Sequence, residues 1–360
     1  MARWLVLSVV IAAVIIGCDL SADDNFGDRR LIESEAQAPA VDCRTVQHDL
    51  GETEICGQPQ QVATLSAYTL ELLLALDQQP AGYSPSLNTY FGEVFDNPAQ
   101  QIPYLGDRVT TQPMNLGTAN QPSLEKLVAL KPDLIVAEGN RGASTYGLLF
   151  QIAPTLVWQA RGAKGQWQQN LQTLAMALGN TEKADTVIQQ HETRIAAARA
   201  EFADVVKEHP KLLVLAGHRL DQGIRVFDAD NSLGELLTEI GFQFVPESSS
   251  RLNADGPISV EALPQFNDAD IIIILGYDLS AGDQEQANAN QSANESASER
   301  VEQNQVQIIK QNWEASEVAQ SLTASQEDRV YFATFYKWFG LNGPIGAELI
   351  LEDLREFLLE

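Results

Sequence analysis

Positive charge is scarce in this chain. Its 360 residues hold 23 Lys and Arg against 49 Asp and Glu, a formal net charge of -26. A field of that sign repels nucleic acid and anionic surfaces, so no nucleic-acid partner is expected. Histidine is also rare: His48, His191, His209 and His218 are the only four, and they are scattered. They show no metal-site spacing, so no resident metal is expected. The G-x-S-x-G elbow, the Walker phosphate loop, G-x-G-x-x-G and H-E-x-x-H are all missing. No nucleophile stands out. Missing motifs do not exclude an enzyme, but no enzymatic activity is expected and no cofactor is implied. No apolar run reaches the ~20 residues of a membrane span.

What is present is a phrase that occurs twice. Ser123 to Ala137 reads S-L-E-K-L-V-A-L-K-P-D-L-I-V-A, and Ser259 to Ile274 reads S-V-E-A-L-P-Q-F-N-D-A-D-I-I-I-I. Each copy has a Ser able to cap a short helix, a Glu in its first turn, an apolar face, and an Asp before a β-rich run. An E-L-L phrase precedes each copy, at Glu71–Leu76 and Glu235–Gly241. The same order of parts in two halves predicts an α/β fold of two similar Rossmann-like lobes, with a ligand cleft between them. The unequal spacing excludes a solenoid.

The ends of these lobes can be drawn from composition. Arg3 precedes an apolar stretch, Leu5 to Ile16, that ends in I-I-G-C, and this resembles the bacterial lipobox. It implies a signal peptide over 1–17 and a lipidated Cys18. Asp19 resembles an inner-membrane retention signal, which implies anchoring on the periplasmic side of the inner membrane. Residues 18–42 are poor in large apolar side chains and read as a flexible tether. Cys43 and Cys56 flank an alternating, Gly-turned segment, and in an exported protein they are expected to form a disulfide across a hairpin.

Strand and helix then alternate. An N-terminal lobe is expected over 43–165, with strands at Val62–Ser66, Pro80–Ser84, Asp133–Ala137 and Thr155–Trp158. Its helices are expected at Ala67–Leu76, Ser123–Leu130 and Ala143–Ile152. The segment 166–209 has no Pro, with Pro210 just beyond it, and Ala184 to Val206 predicts one helix of about 25 residues, ~37 Å long, able to bridge two lobes. A C-terminal lobe follows over 210–360. Its strands are expected at Lys211–Ala216, Ile224–Phe227, Ala269–Leu275 and Arg329–Ala333. Its helices are expected at Leu233–Ile240 and from Pro344 to Leu359, the latter with Asn342 as cap. The polar stretch 278–300 reads as a disordered insertion.

Several phrases together carry a family resemblance. They are Q-Q-V-A-T-L (Gln60–Leu65), L-E-K-L-V-A-L-K-P-D-L-I-V, I-A-P-T-L-V-W (Ile152–Trp158), S-V-E-A-L-P, and D-R-V-Y-F-A followed by G-P-I-G-A (Gly343–Ala347). From about Val41 to Glu360 the chain resembles the periplasmic substrate-binding proteins of ABC importers for ferric siderophores, haem and cobalamin. The resemblance implies a class III architecture, two lobes joined by one long helix. It also implies a monomer that captures a ferric siderophore and delivers it to a membrane permease. Haem or a cobalamin-type corrinoid is the alternative ligand. An enzyme or assembly factor on a related scaffold is the second alternative.

Open α/β sheets bind ligands beyond the C-terminal ends of their strands. Candidate ligand contacts there are Tyr68, Arg108, Arg141 and Trp158 in the first lobe. In the second they are His218, Arg219, Tyr277, Tyr336 and Trp338. Arg can donate charge-assisted hydrogen bonds to the oxygens of an anionic chelate, and aromatic rings can cover its organic shell. Each has a plainer alternative, a surface ion pair for Arg or core packing for Tyr and Trp. The resemblance further implies that Glu125 and Glu261, one on each lobe, dock into the permease. An acid in a helix's first turn also offsets the helix dipole, which is the alternative.

Overall fold

The computed structural model describes residues 42–87, 90, 92–247, 256–277 and 295–360. The expected signal peptide, Cys18, the tether up to residue 41 and the insertion over 278–294 lie outside the described residues. The described chain opens on an antiparallel hairpin of β1 (Cys43–His48) and β2 (Gly51–Cys56), where Cys43 faces Cys56 and the two form a disulfide. Alternation buries Val46, Thr53 and Ile55 on the inner face.

The first lobe contains β3 (Val62–Thr64), helix α1 (Ala67–Ala75), β4 (Gly82–Tyr83), β5 (Met114–Asn115) and the ribbon β6 (Gly117–Thr118) and β7 (Gln121–Pro122). It continues with α2 (Leu124–Leu130), β8 (Leu134–Glu138), α3 (Gly139–Leu149), β9 (Thr155–Trp158) and α4 (Gln166–Leu178). Its parallel sheet has the order β5-β4-β3-β8-β9. Helix α5 (Thr181–Glu201) follows.

In the second lobe come β10 (Lys211–Gly217), β11 (Arg225–Val226), α6 (Ser232–Ile240), β12 (Gln243–Phe244) and β13 (Ile271–Gly276). After these come α7 (Ala297–Ala315), β14 (Val330–Thr334) and α8 (Pro344–Leu358). Strand β10 pairs with β12 and antiparallel β11 on one edge and with β13 on the other, and β13 pairs with β14. The order β4-β3-β8-β9 therefore recurs as β12-β10-β13-β14. All six residues of β13, I-I-I-I-L-G, are buried, as expected of a parallel strand covered on both faces.

The repeated phrase does the same work in both lobes. Asp133 accepts from the backbone N–H groups of Gln60 (2.7 Å) and Gln61 (2.9 Å), and Asp270 accepts from Lys211 N (2.8 Å). Each Asp thus ties the start of its own strand to the start of the neighbouring parallel strand. The helices of the two copies differ. Ser123 caps α2 by accepting from Lys126 N, whereas Val260–Phe266 is a 3₁₀ turn containing Pro264 and Ser259 makes no such cap.

Helix α5 joins the lobes. Its first half places Ala184 and Val187 in the core of the first lobe, and its second half places Ile195 and Ala198 in that of the second. The expected single helix to Val206 is instead interrupted at buried Phe202, and Ala203–Glu208 forms a separate short helix. Two other expectations are corrected. Helix α7 begins inside the stretch read as disordered, at a capping box of Ser296 and Glu299, and buries Val301, Gln305, Ile309 and Trp313 at four-residue spacing. Asn342 does not cap α8; its backbone is left-handed (φ 62°), Gly343 is the cap residue, and the Asn342 side chain bonds Phe339 and Ser232 instead.

Candidate functional site

The last residues of β8, β9, β10, β13 and β14 feed two facing loop sets. On the first lobe, Arg161 follows β9. Its Nη1 donates to Glu138 Oε1 at 2.7 Å, at the end of β8, and crosses to the backbone oxygen of Gly340 in the second lobe at 3.1 Å. Beside it Gly162 accepts from Ser232 N (2.9 Å), and a Cβ on Gly162 would lie 3.4 Å from the Phe339 ring. The two lobes therefore meet along the Arg161–Gly162 loop.

The opposite wall is aromatic. After β14 the chain makes a π-helical turn, Tyr336–Gly340. This turn leaves Phe335 and Phe339 half-buried, with ring centroids 5.3 Å apart. Phe227 lies 5.0 Å from Phe339, and Tyr277, just beyond β13, lies 5.7 Å from Phe335. Next to Tyr277 stands His218, just beyond β10, whose Nδ1–H donates to the Tyr277 carbonyl at 3.1 Å. Half-buried Tyr277, Phe335 and Phe339, backed by buried Phe227, form a continuous aromatic cluster of the kind that covers an organic ligand.

Along the same seam the lobes share a polar network. Tyr104 of the first lobe donates to Glu302 (2.9 Å) and lies 3.1 Å from Thr334 Oγ1, and its backbone N–H bonds Ser298 Oγ (2.9 Å). Lys337 bridges Glu302 (3.0 Å) and Asp353 (2.7 Å) and sits over the Tyr104 ring. Burial pulls the Lys337 ammonium down, but the two carboxylates outweigh it and the net shift is upward. Burial raises Asp353, and Lys337 and Trp338 only partly counter it.

Of the nine candidate ligand contacts, the structure brings His218 and Tyr277 together on the cleft wall. Four others are core residues. Tyr68 is 0% exposed, and its hydroxyl accepts from Asn170 (2.8 Å). Trp158 packs edge-on against Tyr68 at 6.4 Å. Tyr336 is buried, and Trp338 is 1% exposed and donates from Nε1 to Asp353 at 2.6 Å. The π-turn explains the last two: it directs Tyr336 and Trp338 inward while their neighbours Phe335 and Phe339 stay half-buried.

The arginines are corrected too. Arg108 pairs with Glu348 of α8, which also holds Arg194, and Arg219 makes two bonds to Asp221 within its own loop, both 2.9 Å. Each thus has a carboxylate partner, as Arg161 does, but neither meets the aromatic cluster. The backbone of Arg141 lies in the first turn of α3; its side chain lies outside the described residues. Glu125 and Glu261 are exposed in the first turns of α2 and of the 3₁₀ segment, and Ser259 together with the turn backbone lowers the Glu261 carboxyl. Sequence reading missed Glu138, Phe335 and Phe339. The cluster F-Y-K-W-F-G was the available signal, but the facing of its rings depends on the turn type.

Comparison with known proteins gives a consistent result. A family model described as periplasmic binding protein matches residues 62–336. The Fe(3+)-citrate-binding protein YfmC of Bacillus subtilis is 25% identical over 353 residues, 97% of this chain and 95% of that protein. The Fe(3+) dicitrate-binding periplasmic protein FecB of Escherichia coli is 26% identical, covering 86% and 88%. Among solved structures, Staphylococcus aureus SirA complexed with staphyloferrin B matches the fold with a TM-score of 0.66 at 23% identity, over 88% of this chain and 98% of that one.

Proposed function

The chain belongs to the periplasmic binding protein family, and from that membership we propose that it captures a ferric siderophore between its two lobes and delivers it to the permease of an ABC importer. The family is a class of solute-binding proteins, and the chain acts as a carrier rather than an enzyme. Relatives across nearly its whole length are named for binding ferric citrate. The observation that carries the reading is the half-buried aromatic cluster of Tyr277, Phe335 and Phe339 where the second lobe meets the Arg161–Glu138 pair of the first. Ring faces suit the organic shell of a chelate, and backbone and Arg161 donors suit its oxygens without competing for the iron.

In this reading Cys18 carries a lipid anchor that holds a monomeric body on the periplasmic side of the inner membrane. Glu125 and Glu261 stand exposed on equivalent turns of the two lobes, which supports their role in docking the permease. Half-buried His218 on the wall favours haem as the alternative ligand, since an imidazole can ligate its iron.

The test is a titration of the protein, followed by tryptophan fluorescence and calorimetry, against hydroxamate, catecholate and citrate-type ferric chelates, haem and cobalamin. Micromolar or tighter binding of a ferric chelate is expected. Binding of haem or cobalamin alone would replace the siderophore, and binding of none would end the carrier reading.

A further inference from the structure

Glu71 sits in α1 of the first lobe and is 0% exposed. Its Oε1 accepts from Gly346 N at 2.6 Å, in the first turn of α8 in the second lobe. The fit is close: a Cβ on Gly343 would meet the Glu71 carboxylate at 2.8 Å, and one on Gly346 would meet it at 3.3 Å. Glu235 sits in α6 of the second lobe, and its Oε2 accepts from Gly165 N at 2.9 Å, the residue that opens α4 in the first lobe.

These two contacts are the same contact made in opposite directions. Helices α1 and α6 hold equivalent places, α1 between β3 and β4 and α6 between β10 and β12, the matched strand pairs of the two lobes. Helices α4 and α8 are equivalent too, each after the last strand of that order. Both α4 and α8 begin at a glycine cap residue, Gly165 and Gly343, and neither has a side-chain cap from its own flank. A helix start presents unpaired N–H groups and partial positive charge, which a carboxyl oxygen satisfies. Here the missing cap comes from the other lobe in both cases.

We propose that Glu71 and Glu235 form a reciprocal clamp that fixes how the two lobes face each other and so presets the cleft before ligand arrives. Both act as positioning residues, since neither lies on the aromatic wall. The clamp goes beyond the carrier reading and does not depend on which ligand is bound.

Hydrogen exchange on the ligand-free full chain tests it, because the effect must appear in the lobe opposite the substitution. Glu235→Ala is expected to speed amide exchange over 165–168 by about tenfold while α6 itself keeps its protection. Glu71→Ala should do the same over 343–346, and Glu71→Gln, which keeps an acceptor oxygen, should exchange like wild type. If Glu71→Ala does not fold, Glu235→Ala and Glu71→Gln carry the test. In a Cys18→Ser background, spin labels at Val128→Cys and Gln265→Cys, one on each lobe, should give a broader distance distribution when Glu235→Ala is added. Exchange that rises only in the substituted lobe, or an unchanged distance distribution, overturns the clamp.

Discussion

At the scale of a single residue, Glu71 shows how burial turns an ordinary carboxyl into a pH-dependent part. Burial raises its pKa to about 8, against the opposing pull of the Gly346, Gly343 and Ile345 N–H groups and of Arg161. In the unfolded chain the same group titrates near 4.5. Between these values the folded state holds a proton that the unfolded state has lost, so Glu71's contribution to stability declines as pH rises from about 4.5 to about 8. His191, lowered to about 4 by burial and then by Arg194, acts in the opposite sense at lower pH. A comparison of wild type with Glu71→Gln cancels His191 and isolates Glu71. Urea unfolding at pH 5.5 and 8.5 should show a smaller loss of stability for the Gln variant. Parallel losses in the two proteins would rule out this assignment.

The π-helical turn Tyr336–Gly340 is the element that decides what the cleft presents. It sorts five neighbouring aromatic and basic side chains into core, seam and wall. Phe335→Ala and Phe339→Ala are expected to weaken ferric chelate binding about tenfold with little loss of fold. Trp338→Ala is expected to destabilise the second lobe by about 3–5 kcal/mol, as large core truncations do, and to leave Asp353 without its indole donor. Affinity and unfolding measured on the same three variants separate the two roles. Full affinity in both Phe variants would remove the wall from the binding site. From the sequence, Trp338 was the more attractive ligand contact of the three. Its place beyond a strand end made it a candidate, but that place does not say which way a side chain faces when one helical turn is wound differently.

For the whole molecule, the matched strand order β4-β3-β8-β9 and β12-β10-β13-β14 makes the two lobes pseudo-equivalent. Glu125 and Glu261 inherit equivalent, exposed places from it. Alanine at either should leave chelate affinity near wild type, since both lie away from the wall. Iron uptake in cells should fall, and fall furthest in the double variant. Normal uptake by the double variant, or a loss of affinity equal to that of the Phe variants, would refute the docking role.

What the sequence determined by itself is local and periodic. Apolar runs such as Ile271–Leu275, the helical stripe of Ala184–Ala198 and the Asp before each repeated strand identify an α/β chain of two like halves. Hydrogen-bonding period and burial are properties of neighbouring residues, so they can be read along the chain. Only the tertiary structure decided the pairings between distant residues. Arg108 meets Glu348, Arg161 meets Glu138 and Gly340, and Glu71 and Glu235 each reach a helix start in the other lobe. A charged or aromatic side chain at a strand end can face ligand, solvent or a partner with no change in local pattern. The partner's position, set by the packing of both lobes around α5, makes that choice.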